Sequence, residues 1–382
     1  MEFEFATAQQ IIFGEGKAAA IGNYAQQMGN RALVVTGSSS PRVQTLLTSW
    51  RSLGFVGETC TVRNEPTIAD VLTAVKVARV HRCDMVVAIG GGSVIDTGKA
   101  VGALLSNPGD PLDYLEVVGR GQPLSQPSAP VIAVPTTAGT GAEVTRNAVL
   151  AVPEKQVKVS LRSPTMLPRL ALVDPELTYS APPAVTASTG MDALTQCIEP
   201  YLSNQANPIT DALALQGTKA AAVSLRQAYH DGADRTARSD MALASLCGGL
   251  ALANAKLGAV HGFAGVIGGM FPIPHGVVCA RLLPFVFEAN MSALAAAGSP
   301  VLSRFDNIAL VLTADERATR HDAVQWLHDL SKELQIPPLH TYGVQPAAFD
   351  EIIAKTQRSS SMKGNPIPFS DETLRRILTA AL

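Results

Sequence analysis

The sequence predicts an α/β domain built on a parallel sheet over residues 1–180, followed by an all-α domain over residues 181–382. Three observations predict it. The first half alternates short β-rich runs with helical apolar spacing, and those runs are apolar throughout, as strands buried on both faces are. After Pro183 helical patterns dominate and β-branched clusters are rare. A chain of 382 residues suits two domains of roughly 100–200 residues each.

Residues 31–36 (RALVVT) read as a strand that runs into Gly-Ser-Ser-Ser, and residues 42–53 as the helix after it. Residues 67–79 read as a second helix. Residues 84–89 (DMVVAI) are a strand ending in three glycines, and 130–134 (PVIAV) one ending in Pro-Thr-Thr. A further apolar run, 170–173, ends in Asp174-Pro175. Helices are expected over 184–202, 210–230, 235–257, 277–297 and 320–334. No internal repeat of fixed period is present. In parallel sheets ligands bind beyond the carboxyl ends of the strands, where the Gly/Ser/Thr-rich turns fall.

Composition excludes several classes. Lys plus Arg number 30 and Asp plus Glu 32, a net charge of −2, so there is no basic footprint for nucleic acid and no polybasic membrane anchor. Apolar residues make up 47% and charged residues 16%, the reverse of a disordered chain. Five scattered cysteines contain no CxxC pair, which excludes a disulfide framework and fits a reducing, cytoplasmic setting. The acidic N-terminus lacks the apolar stretch of a signal peptide. The apolar stretch 257–274 carries a histidine, two prolines and five glycines and is no membrane span.

Gly90-Gly91-Gly92-Ser93 follows a strand and opens a helix. Glycine lets a phosphate approach the backbone, and a helix start offers free N–H groups and a positive dipole end. The segment is neither a P-loop nor GxGxxG, because Ala100 follows Gly98-Lys99 and Ile95 holds the last glycine position. A second turn, 135–141 (PTTAGTG), supplies hydroxyls at another strand end, and two such turns suit a pyrophosphate. The third, Thr36-Gly37-Ser38-Ser39-Ser40, has no carboxylate to bind the 2′-OH of NAD, and Arg42 is close by, so NADP is permitted. A helix N-cap is the simpler reading of that turn.

Asp192 and Gln196 are spaced i, i+4 and share a helix face. His261 and His275 both sit in glycine-rich, apolar surroundings where an imidazole needs a partner. Two such histidines with an uncommitted aspartate suit a divalent ion, Fe2+ or Zn2+.

Taken together these residues resemble the iron-containing alcohol dehydrogenase family over nearly the whole chain. The marks are 13–16 (FGEG), 90–100 (GGGSVIDTGKA), 135–145 (PTTAGTGAEVT), 172–178 (LVDPELT), 189–201 (TGMDALTQCIEPY) and 261–276 (HGFAGVIGGMFPIPHG). The resemblance implies a dehydroquinate synthase-like architecture, with a dinucleotide-binding α/β domain, a helical metal domain and the active site in the cleft. It implies an NAD(P)-dependent enzyme that interconverts an alcohol and an aldehyde or ketone, commonly as a homodimer. Gly91, Gly92, Ser93 and Asp96 would serve the pyrophosphate end, with Gly37, Ser38 and Ser39 at the adenosine ribose. Thr136, Thr137 and Thr145 would line the cofactor site, and Lys158 would reach the nicotinamide ribose. The metal ligands would be Asp192, Gln196, His261 and His275. Two departures stand out: the family usually has histidine at Gln196, and many relatives have another at Gly265, near the substrate. Residues 359–366 (SSSMKGNP) resemble the maleylacetate-reductase branch, which makes maleylacetate reduction the alternative activity. An NAD-recycling lyase or synthase on the same scaffold is a further one.

Overall fold

The structure is a computed structural model describing residues 2–37, 41–116, 118–155 and 157–382. The chain divides into two compact units: Ala6–Thr137 with Gly141–Ser180, and Ala181–Leu382 with Ala138–Thr140 and the residues before Ala6.

The first unit contains, in order, β1 (Gln10–Phe13), α1 (Ile21–Ala25), β2 (Ala32–Thr36), α2 (Pro41–Ser52), β3 (Val56–Thr61), α3 (Ile68–Val80) and β4 (Met85–Gly90). There follow α4 (Gly92–Ser106), α5 (Pro111–Tyr114), β5 (Val131–Pro135), β6 (Asn147–Val152), β7 (Val157–Arg162) and β8 (Leu170–Val173). Six strands form a parallel sheet ordered β1-β8-β5-β4-β2-β3, and β6 and β7 pair as an antiparallel hairpin. Alternate residues of each central strand enter different cores. Leu33, Val35, Val86 and Ala88 pack with Val71, Ile95 and Leu104. Val34, Met85, Val87 and Ile132 pack with Ile21, Leu47 and Trp50. Burial on both faces is why these strands read as continuous apolar runs.

The strand order reverses at β2: the chain lays β3 on one side of it and β4 on the other. A reversal of this kind opens a crevice at the carboxyl ends of the two flanking strands. Those ends carry Thr36-Gly37 and Gly90-Gly91.

The second unit is helical: α6 (Pro183–Leu202), α7 (Pro208–His230), α8 (Arg235–Ala255), α9 (Ala259–Met270), α10 (His275–Ala296), α11 (Leu302–Thr313), α12 (Arg320–Glu333), α13 (Phe349–Gln357) and α14 (Asp371–Ala381). Helix starts follow local chemistry. Asn207 caps α7 in a reciprocal pair with Thr210, ahead of Pro208 at the first helical position. α8 stops at Lys256, whose φ of 63° breaks the helical path, and α9 leaves at 100° to it. Helix α10 starts at His275, two residues earlier than the apolar periodicity predicts. Among the described residues α10 is long and apolar enough to cross a membrane, and so is the bent α8–α9 pair if counted as one span. The qualifying window of α10 is 67% buried inside the protein, as a core helix would be.

Candidate functional site

In the α/β unit the carboxyl ends of β2, β4 and β5 lie side by side. Gly90 is the register partner of Pro135, and the Thr136 N–H donates to Gly90 O at 2.9 Å. Gly91 is the N-cap of α4 and has no side chain to cap the first turn; the Val94 N–H turns back to Gly91 O at 3.0 Å, and the N–H groups of Gly92 and Ser93 are the ones an anion at this helix start could take. A Cβ on Gly91 would stand 3.4 Å from Thr137 Oγ1, so the two turns form one cradle with Gly92 and Ser93. A Cβ on Gly98 would come within 2.6 Å of that of Ala88. Glycine there lets α4 lie directly on β4, the role of the third glycine in dinucleotide folds.

Beside this cradle is a groove of about 600 Å³ lined by Thr36, Gly37, Gln44, Arg51, Thr59 and Arg63, among others. Ser38 and Ser39 lie outside the described residues. Arg42 turns elsewhere: it donates to Glu176 O at 2.7 Å and stacks over the Tyr179 ring. The cations of the groove are Arg51 and Arg63, which sequence reading passed over because they lie beyond the turn, in α2 and after β3.

Three other expected cofactor residues take part in internal networks. Lys99 is fully buried, pairs with Asp96 Oδ1 at 2.9 Å and donates to Thr145 Oγ1 and Ala142 O. Asp96 Oδ2 also accepts from the Val149 N–H. Burial raises the Asp96 carboxyl pKa although Lys99 opposes it. Lys158 pairs with Glu65 at 3.2 Å.

In the helical unit Asp192, His261 and His275 come together from α6, α9 and α10. His261 Nε2 stands 3.3 Å, and His275 Nε2 4.0 Å, from Asp192 Oδ1. Asp192 is 1% exposed, and its Oδ1 receives no well-directed hydrogen bond. Glu199 sits two turns along α6 from Asp192 and was not anticipated, although the i, i+7 spacing places both on one face. Its Oε2 accepts from His261 Nδ1 at 2.6 Å and its Oε1 from the Val260 N–H at 2.7 Å. A carboxylate partner fixes the proton on Nδ1 and leaves the Nε2 lone pair facing Asp192. Two acceptors at 3.3 Å need a positive charge between them, either a proton or a cation.

Electrostatics agree. Burial would raise the Asp192 carboxyl, but contact with His261 and the charge of His275 hold its pKa below the usual value. Burial disfavours a charged His261, yet Cys279, Asp192 and Glu199 push its imidazole pKa well above normal. Cys279 is the second unanticipated member. It stands one turn beyond His275 on α10, with Sγ 3.6 Å from His275 Nε2 and 3.7 Å from His261 Nε2. Burial pushes its thiol up to about 12. Ligand atoms of Asp192, His261, His275 and Cys279 all lie within 4.8 Å of one another. The donor set and the orphaned Asp192 oxygen fit a divalent metal ion. Gln196 is buried close by, with its Nε2 donating to Gly139 O at 2.8 Å.

Segment 359–366 clamps α9. Asn365 Oδ1 accepts from the Ala259 N–H at 3.0 Å, and its amide pairs with Asn290 and Ile367 O. A Cβ on Gly262 would touch Met362. The residues behind the likeness to the maleylacetate-reductase branch therefore cap the helix that carries His261.

Comparison with known proteins gives the family. Residues 8–175 match the family model described as iron-containing alcohol dehydrogenase, and residues 186–382 the model of that family's C-terminal part. Alcohol dehydrogenase 4 of Saccharomyces cerevisiae is 37% identical over 378 residues, covering 97% of this chain and 96% of that protein. The crystal structure of a 1,3-propanediol oxidoreductase superposes with a TM-score of 0.91 at 33% identity over 100% of both chains. That of sulfoacetaldehyde reductase from Bifidobacterium kashiwanohense in complex with NAD+ superposes with a TM-score of 0.89 at 29% identity, over 100% of this chain and 99% of that one.

Proposed function

We propose a division of labour from one premise: the chain belongs to the iron-containing alcohol dehydrogenase family and is an NAD(P)-dependent, metal-assisted oxidoreductase acting on an alcohol or its carbonyl partner. The single observation that carries the assignment of roles is the convergence of Asp192, His261 and His275 around an orphaned, buried carboxylate oxygen. When bound, the divalent cation supplies Lewis acidity toward the substrate oxygen, and NAD(P) carries the hydride.

The chain's own residues do the rest. Asp192, His261 and His275 hold the cation, and Glu199 keeps His261 in the tautomer that can ligate. Gly91, Gly92, Ser93, Thr136 and Thr137 hold the pyrophosphate, and Gly37 lines the 2′ end of the adenosine ribose. Arg51 and Arg63 give that end a positive lining, so the groove takes the 2′-phosphate of NADP. Asp96 and Thr145 act through Lys99 in shaping the loop 135–145, and Lys158 would have to leave its pairing with Glu65 to reach the nicotinamide ribose. Gly265 lies one turn beyond His261 on α9, and among the described residues nothing beyond its own stretch of helix stands within 4 Å of where its Cβ would be. That space admits a bulkier substrate, and with no imidazole there the proton leaves through water or a ribose hydroxyl. The enzyme works in the cytoplasm as a homodimer, for which the edge strand β1 offers a row of backbone groups.

His275→Ala tests the assignment. Metal binding should be lost, and turnover should fall by more than roughly the hundredfold that outer-shell partners can cost, with cofactor affinity close to wild type. Metal content and reduced-nicotinamide absorbance with a panel of alcohols are the measurements. Unchanged turnover rejects the metal role.

A further inference from the structure

We propose that Cys279 Sγ is the fourth ligand of the metal site, in the coordination place that Gln196 would otherwise hold, making an Asp–His–His–Cys centre that prefers Zn2+ to Fe2+. The inference deepens the reading above and rests on Asp192, His261 and His275 holding the cation.

Geometry supports it first. Tetrahedral coordination with bonds of about 2.0–2.2 Å to nitrogen and oxygen and about 2.3 Å to sulfur sets ligand–ligand edges of about 3.4 Å and, for sulfur–nitrogen, about 3.6 Å. The observed sulfur–nitrogen edges are 3.6 and 3.7 Å, and the His261–Asp192 edge is 3.3 Å. The His275–Asp192 edge, at 4.0 Å, is longer, and the two remaining edges lie within 4.8 Å. Side chains that merely fill space have no reason to sit at the edges of one coordination polyhedron. The second observation is independent of the cysteine: Asp192 Oδ1 is buried and lacks a hydrogen-bond donor, so it already points to a ligand at this spot.

The third concerns Gln196. Its Nε2 is committed to Gly139 O, and its Cβ lies 3.1 Å from where a Cβ on Gly248 would stand. That bond tethers α6 to the 138–140 stretch and uses the amide nitrogen, so the Gln196 Oε1 is the atom with which Sγ competes for the fourth place. Cys279 instead shares a face of α10 with His275, because i, i+4 residues stack on a helix. A thiolate is softer than an amide oxygen and selects zinc over the harder preferences of iron. With Asp192 and a Cys279 thiolate the ligands carry two negative charges, which balance a divalent ion.

The test reads coordination directly. The full-length protein is loaded with Co2+ and, separately, with Zn2+. The cobalt form should show a sulfur-to-cobalt charge-transfer band in the near ultraviolet. X-ray absorption at the zinc edge should show one sulfur at about 2.3 Å. Cys279→Ser and Cys279→Ala should lose both signals while keeping the helical circular dichroism, and should bind zinc at least roughly tenfold more weakly. Gln196→Ala should keep both. A zinc shell of nitrogen and oxygen alone, or a Cys279→Ser spectrum identical to wild type, overturns the inference. If cobalt binds, and binding is lost in His275→Ala, but no sulfur band appears, only the cysteine's role fails. If the wild-type protein takes up no cobalt, the reading it rests on fails too.

Discussion

At the residue scale, Gly37 is where one missing side chain bears on the proposed cofactor choice. It sits at the end of β2 in the groove with Arg51 and Arg63. A Cβ there would meet Val94 Cγ2 at 3.4 Å and Val62 O at 3.9 Å, ordinary contact distances, so an aspartate is sterically admissible. Gly37→Asp places a carboxylate against a 2′-phosphate, and partly screened repulsion of about 1–2 kcal/mol should shift the ratio of kcat/KM values roughly five- to thirtyfold toward NAD. An unchanged ratio would place the 2′ end elsewhere. Asp192, His261 and His275 were legible as candidates because lone polar groups in apolar sequence need partners. Glu199 and Cys279 were not: a glutamate and a cysteine in a helix have ordinary solvated or core roles, and only the neighbouring imidazoles give them another.

At the scale of elements, the strands buried on both faces were legible and the others were not. β2, β4, β5 and β8 are continuous apolar runs. β3 (VGETCT) is a half-exposed edge strand, and β6 alternates buried and half-buried residues, so neither has the doubly buried pattern. Helix α9 was read as an apolar stretch rather than a helix because its glycines carry no helical propensity. Its first turn is held from outside by Asn365 and Glu199. Asn365→Ala removes the acceptor for the Ala259 N–H and the pairing with Asn290. The expected loss is about 1–3 kcal/mol, because buried donors are left unmade, together with weaker zinc binding as His261 loosens. Thermal unfolding and zinc titration check it; wild-type values in both would show that α9 holds its place unaided.

At the scale of the whole molecule, stability against pH should report one buried acid. Glu143 is 1% exposed, its Oε1 has no hydrogen-bond partner, and burial raises its pKa from 4.5 to about 7. Between those values the folded protein holds a proton that the unfolded chain has released. Stability from this group therefore falls as pH rises through that window, by up to about 3 kcal/mol, and levels off above it. Glu143→Gln should flatten the slope of urea-unfolding stability between about pH 5 and about pH 8. A slope equal to wild type would mean that the carboxyl ionises freely. The sequence by itself determined the fold class, the parallel sheet and the turns at its strand ends, because each follows from local spacing of apolar, glycine and hydroxyl residues. Only the tertiary structure decided which side chains gather around Asp192 and which cations line the groove beside Gly37. Those depend on where α10 starts after Pro274, how far α9 bends from α8, and which loop Gln196 reaches, and packing sets all three over distances that no sequence window spans.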